Sequence, residues 1–172
     1  MAERLRAQWP MNDSEDLILL DSNILIYAEQ EKSPYFNASK VLRDSALTGE
    51  VSACISPQVL CEFFAVTTDS RRATDPLTVQ EAIDQIKKYS ESEDLTLIYP
   101  GSGIIGHLLS LLQIRPATGS DIYDLFLTAT MLENNVHRIY TFNTKDFAPF
   151  SEIEVLTPPD PMPDPISAQP ES

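Results

Sequence analysis

Apolar residues fall along this chain in two patterns. Some form short unbroken runs; others recur three or four positions apart. Residues 17–20 (LILL) are an unbroken run that closes on Asp21. A run with no polar alternation predicts a strand buried on both faces, as in a parallel sheet. Residues 23–29 then predict a short helix. Ser33-Pro34 opens a longer one through about Ala46, with Phe36, Val41, Leu42 and Ala46 apolar and Gly49 ending it. Residues 51–55 form a second strand. Ser56 and Pro57 stand as N-cap and first helical residue of a helix running to Thr67. A polar loop covers 68–77. Thr78 caps a helix to about Tyr89 that carries Val79, Ala82, Ile83 and Ile86 at helical spacing. Strand 95–99, helix 101–114, a loop at 115–120, an almost wholly apolar helix 121–134, strand 138–142 and an edge strand at 154–156 complete the pattern.

Strands alternating with helices predict an α/β fold, a three-layer α/β/α sandwich around a mainly parallel sheet. One domain is expected over 17–158, after an N-terminal extension at 1–16 in which Met11 offers an alternative start. A proline-rich tail at 159–172 is expected to be disordered. There are no internal repeats.

Composition narrows the chemistry. Cys54 and Cys61 come without histidines at zinc spacing, so both are expected as reduced, buried thiols. No apolar run reaches the ~18 residues of a membrane span, and the first residues are too polar for a signal peptide. A cytoplasmic protein is expected, without membrane contact. The net charge of −14 suits a site that gathers cations, or a basic protein partner. It opposes binding to nucleic acid unless basic residues gather locally. Arg71, Arg72, Lys87, Lys88, Arg115 and Lys145 are the candidates for such a patch, each otherwise a solvated charge.

Carboxylates stand where ligands bind in parallel sheets, beyond the carboxyl ends of strands. Asp21 follows the first strand, where it serves either a site or the N-cap of the next helix. Glu62 interrupts VLCEFF; it is either a metal ligand or a residue on a solvent face beside Gln58 and Ala65. Asp121 and Asp124 share a helical face. Capping suits Asp121, whereas Asp124 lies deeper, ahead of Leu125, Phe126 and Leu127. Thr141, Asn143 and Asp146 follow the fourth strand, with Thr141 and Asn143 alternating outward in the same place. Converging carboxylates, with no candidate Ser or Cys nucleophile motif, point to Mg²⁺ or Mn²⁺ assisting hydrolysis of a phosphodiester.

These residues also resemble a known family. LILLDSNILIY resembles the opening strand of PIN domains, with Asn two residues after Asp. SPQVLCEFF resembles the helix bearing the family's Glu. DIYDLFLTATMLENNVHRIYTFNTKDF resembles the later acidic regions of VapC-type toxin nucleases, and EIEVLTP their closing strand. The resemblance implies that Asp21, Glu62 and Asp124 hold the metal and Asn23 orients the acids. Asn143 stands where many members carry a fourth acid, and Asp146 is its candidate substitute. It further implies endoribonuclease activity as the toxin of a toxin–antitoxin pair, an antitoxin partner and homodimerisation. Two other readings compete. One is a catalytically weak PIN-like module that binds protein or RNA. The other is a haloacid-dehalogenase-type phosphatase with Asp21 as nucleophile, in which Asn23 would replace that family's second Asp.

Overall fold

A computed structural model describes residues 17–159. The expected N-terminal extension, and all but the first residue of the proline-rich tail, lie outside the described residues. Five short strands, β1 (Ile18–Leu20), β2 (Ala53–Ile55), β3 (Leu95–Leu97), β4 (Arg138–Tyr140) and β5 (Glu154–Leu156), form one sheet in the order β3-β2-β1-β4-β5. Every pairing is parallel; Leu19 sits opposite both Cys54 and Ile139. β1 and β2 are buried along their whole length, as an unbroken apolar run requires when both faces are covered.

Seven α-helices stand among the described residues: α1 (Ser22–Tyr27), α2 (Phe36–Leu47), α3 (Pro57–Thr67), α4 (Val79–Ser90), α5 (Ile104–Ile114), α6 (Ile122–Glu133) and α7 (Thr144–Phe147). They pack in two groups. α1 lies on α2 and α3, with α3 on α4; α5 lies on α6, with α6 on α7. The result is the α/β sandwich expected. The chain winds outward from β1 to β3, then crosses back to β4 and β5 on the other side. β1 and β4 therefore flank the topological switch point, where a parallel sheet opens a crevice.

Local signals set the helix starts. The Ser56 hydroxyl accepts from Val59 N at 3.3 Å, with Pro57 in the first turn of α3. Thr78 and Glu81 form a reciprocal capping box at α4: Thr78 Oγ1 accepts from Glu81 N at 3.2 Å and Glu81 Oε2 from Thr78 N at 2.7 Å. After α2, Gly49 takes a φ of +71°, which a residue with a Cβ adopts at a cost.

Several elements differ from expectation. α2 begins at Phe36 because Ser33 Oγ accepts from Tyr35 N at 3.2 Å, which holds 33–35 in a turn. α5 begins at Ile104, not 101, because Gly101 N and Gly103 N donate to Glu133 at 2.8 and 2.7 Å. α1 ends at Tyr27, and the first four strands are shorter than their apolar runs, whereas β5 keeps its expected bounds. The expectation of two buried thiols fails for Cys61. Cys54 is buried in β2, which pushes its thiol up to about 12, but Cys61 is exposed on the polar side of α3 beside Glu62.

Candidate active site

The candidate site begins where β1 ends. Asp21 leaves the strand in an extended conformation and stands as N-cap of α1, so the capping and site readings of this residue hold together. Its Oδ1 accepts from Ser22 N at 2.7 Å and lies 3.4 Å from the Ser22 hydroxyl. Its Oδ2 accepts from Asn23 Nδ2 and from Thr141 Oγ1, both at 2.7 Å. The Asp21 backbone N–H donates to Tyr140 O at 3.1 Å, tying the ends of β1 and β4 together. Asn23 completes the bracket: its amide also donates to Thr141 Oγ1 at 2.9 Å, and its carbonyl accepts from Phe142 N at 3.3 Å. Asn23 and Thr141 thus hold Asp21 in one orientation. Thr141 does not point outward as expected. It is wholly buried, because its hydroxyl also accepts from Asn143 N at 2.9 Å.

A carboxylate buried like this ionises at an energetic cost. Burial raises the Asp21 pKa to about 6, against the lowering effect of its Thr141 and Ser22 hydrogen bonds; the charge of Glu62 adds to the rise. Asp124, in the first turn of α6, is also pushed up to about 6, by burial first and then by the charges of Asp146, Asp21 and Glu62, with Arg115 opposing. Asp124 therefore lies within electrostatic reach of Asp21, Glu62 and Asp146, although these come from the end of β1, from α3 and from α7. A cross-link between Gln58 Nε2 and Tyr123 O, at 2.9 Å, fixes α3 against α6.

The remaining candidates separate. Glu62 is exposed on α3, so both readings of it meet: it faces solvent, yet its charge reaches Asp21 and Asp124. Asp121 occupies the N-cap place of α6 in a helical conformation and makes no side-chain cap bond, which corrects the capping expectation. The three-residue 3-10 turn before it already carries the chain into the helix. Asn143 is exposed before α7, whereas the charge of Asp146 reaches Asp124. Arg115 is paired with an acid of the site. Its guanidinium donates to the Asp146 backbone carbonyl and lies 3.5 Å from Asp146 Oδ1. Nothing local in sequence announces that pairing, since the partners are 31 residues apart. Arg71 is likewise paired, to Asp69 at 2.8 Å.

Among the described residues, no group of three His, Cys, Asp or Glu side chains stands ready to close on a metal ion. The donor set fits a hard divalent cation in its chemistry: all oxygen, with neighbouring acids adding to the rise that burial causes in Asp21 and Asp124. Glu62 is exposed, and Asp124 and Asp146 partly so, which leaves these side chains room to turn toward Asp21. Asp21 is poorly suited as a phosphoryl acceptor, because both its oxygens are already engaged.

The family model of the PIN domain matches residues 18–154. The fold is similar to that of Mycobacterium tuberculosis VapC20, described as a Sarcin-Ricin loop cleaving toxin (TM-score 0.58, 14% identity, 76% of this chain and 93% of that one). It is also similar to a chain of a toxin-antitoxin complex from Klebsiella pneumoniae (TM-score 0.54, 19% identity, 83% and 98%). A third likeness is to VapBC-1 from nontypeable Haemophilus influenzae (TM-score 0.55, 19% identity, 82% and 97%). No curated protein matches the sequence.

Proposed function

Because the chain belongs to the PIN domain family, we propose that it is a Mg²⁺- or Mn²⁺-dependent endoribonuclease that acts in the cytoplasm as the toxin of a toxin–antitoxin pair. What supports this reading is that Asp21, Glu62 and Asp146 all act electrostatically on Asp124 near the switch point of the sheet, and that burial, reinforced by neighbouring acids, raises Asp21 and Asp124 to about 6. A neighbouring fold described in a toxin-antitoxin complex supports an antitoxin partner for this chain, and a homodimer is part of the same proposal. No helix among the described residues is long and apolar enough to cross a membrane.

Asp21, Glu62 and Asp124 would hold the metal. Bound there, the ion would supply an activated water and neutralise phosphate charge. The protein's own work is positional. Ser22, Asn23 and Thr141 fix the Asp21 carboxylate so that it need not reorganise during the reaction. Arg115 holds Asp146 beside Asp124. The fold domain proposed is 17–158, with the remainder as flanking extensions.

The test is cleavage of single-stranded RNA with added Mn²⁺ or Mg²⁺, read on a gel. Wild type is expected to cut, and Asp21→Asn and Asp124→Asn to lose at least a hundredfold, the range general for a lost positioned charge in catalysis. Cutting at equal rates by all three proteins would reject the site. The reading as a catalytically weak binding module draws on one observation, an exposed amide at Asn143 in place of a fourth acid. RNA binding without cleavage would favour it.

A further inference from the structure

A cavity of about 350 Å³ is walled by Tyr27 and Tyr35, with the charged Glu31, Lys32 and Asp75 and the polar Gln30, Ser33 and Thr74 around it. The two rings lean together with centroids 5.0 Å apart, and Phe142 backs both, at 5.6 Å from Tyr27 and 4.3 Å from Tyr35. The three rings form one packed cluster, tilted by 44° between Tyr27 and Tyr35 and by 32° between Tyr35 and Phe142, with Phe142 edge-on to Tyr27; the Tyr27–Tyr35 wall of the cavity is its shelf, on which Tyr35 is 41% exposed. The shelf is joined to the site by short links. Phe142 N donates to Asn23 Oδ1, whose amide holds Asp21. The Tyr27 hydroxyl, raised by burial and by the charge of Tyr35, also feels the charge of Asp21.

We infer that this shelf is the subsite for an unpaired nucleobase of the RNA, stacked on Tyr35 and Tyr27 next to the bond to be cut. The inference deepens the proposed nuclease function and rests on it. Two observations favour a base over other occupants. First, the cavity combines an aromatic wall with amide, hydroxyl and carboxylate groups that can pair with the edge of a base. Second, in a chain of net charge −14 that pairs Arg71 and Arg115 with its own acids, Lys32 is, among the described residues, the one cation lining this cavity that can meet a phosphate, so most of the affinity needs another source. Stacking on aromatic faces is the non-ionic source of affinity for single strands, and it is indifferent to that charge.

The test uses full-length protein carrying Asp124→Asn, so that the RNA survives, and a fluorescent single-stranded oligoribonucleotide in two forms, intact and with one abasic position moved along it. Tyr35→Leu, which keeps apolar bulk and removes the ring, is expected to weaken binding of intact RNA roughly tenfold. Tyr35→Phe should restore it. One abasic position should weaken the parent protein similarly and add no loss to Tyr35→Leu. In the otherwise wild-type enzyme, Tyr35→Leu should raise KM more than it lowers kcat. Cleavage by wild type, with neither Tyr35→Leu nor any abasic position changing affinity, overturns the shelf and leaves the nuclease standing. Ring-dependent binding without any cleavage overturns the nuclease and keeps the shelf. No binding and no cleavage overturns both.

Discussion

Thr141 and Asp21 stand 120 residues apart in sequence and are joined by a 2.7 Å hydrogen bond from the threonine hydroxyl to Asp21 Oδ2. Both side chains are buried, and the same hydroxyl accepts from Asn23 Nδ2 and Asn143 N. Thr141→Val keeps the shape and removes all three contacts. It should destabilise the protein by roughly 1–3 kcal/mol, the cost of leaving buried polar groups unpaired, and cut cleavage as Asp21 loses its fixed orientation. Thr141→Ser should retain most of both. Urea unfolding of the two variants checks this, and a valine variant as stable as wild type would remove Thr141 from the bracket.

The pKa values of Asp21 and Asp124 fix the sign of a pH effect. Both rise from 3.8 to about 6 in the folded chain. A raised carboxylate favours the fold while protonated, so its contribution is complete below 3.8 and is lost as pH climbs through about 6. Metal-free protein should therefore lose stability between roughly pH 4 and pH 6 on account of these groups. Asp124→Asn escapes its share. It should melt higher than wild type at pH 7.5, by roughly 2–4 °C for each kcal/mol of relieved burial and repulsion, and no higher at pH 3.5. Melting curves at the two pH values decide, and a lower melting temperature for the variant at pH 7.5 would mark Asp124 as structural.

Added Mn²⁺ should reverse that order. A cation that binds only the folded chain stabilises it by mass action. Wild type should gain melting temperature with Mn²⁺ at pH 7.5, while Asp21→Asn and Asp124→Asn gain much less. Equal gains in all three would place the ion elsewhere. Calorimetric titration gives the same comparison as affinities.

Much of this molecule was legible in its sequence because the signals are local. The run ending at Asp21, the Ser56-Pro57 start and the Thr78 cap are each read within a few residues, and each stands where expected. Element edges were harder. Nothing near Gly101 reveals that Glu133, some thirty residues on, takes its N–H groups and delays α5. The acids could be named from their places at strand ends and in helices. Their partners could not: the Arg115–Asp146 bridge and the turning-in of Thr141 depend on tertiary packing. Cys61 misled because an apolar neighbourhood in sequence does not fix which side of a helix faces solvent.

The Glu133 clasp yields a prediction about stability alone. Its carboxylate accepts from Gly101 N at 2.8 Å and Gly103 N at 2.7 Å, at the amino end of α5 where negative charge is favoured. A Cβ at Gly101 would come within 2.8 Å of Glu133 Oε1. Glu133→Gln should cost about 1 kcal/mol, as a lost cap does, and Gly101→Ala a similar amount by pushing the carboxylate away. Both should cut RNA at the wild-type rate. A drop in activity of the folded variants would tie α5 to the site.

The last prediction concerns the fourth acidic position. Asn143 precedes α7 with an exposed side chain, while Asp146 acts electrostatically on Asp124 and is held by Arg115. If Asp146 supplies the fourth carboxylate, Asp146→Ala should lower cleavage severely and Asn143→Asp should leave it intact or raise it. Arg115→Met separates holding from charge. It frees Asp146 from its 3.5 Å partner while keeping the acid, so cleavage should fall less than in Asp146→Ala and metal affinity should change little. If Asp146 is instead only a first-turn acid of α7, its loss should cost a few tenths to about 1 kcal/mol through the helix dipole and leave the specific activity of folded protein unchanged. Cleavage rates and melting curves on the three variants distinguish these cases, and an active Asp146→Ala enzyme would mean that Asp21, Glu62 and Asp124 suffice.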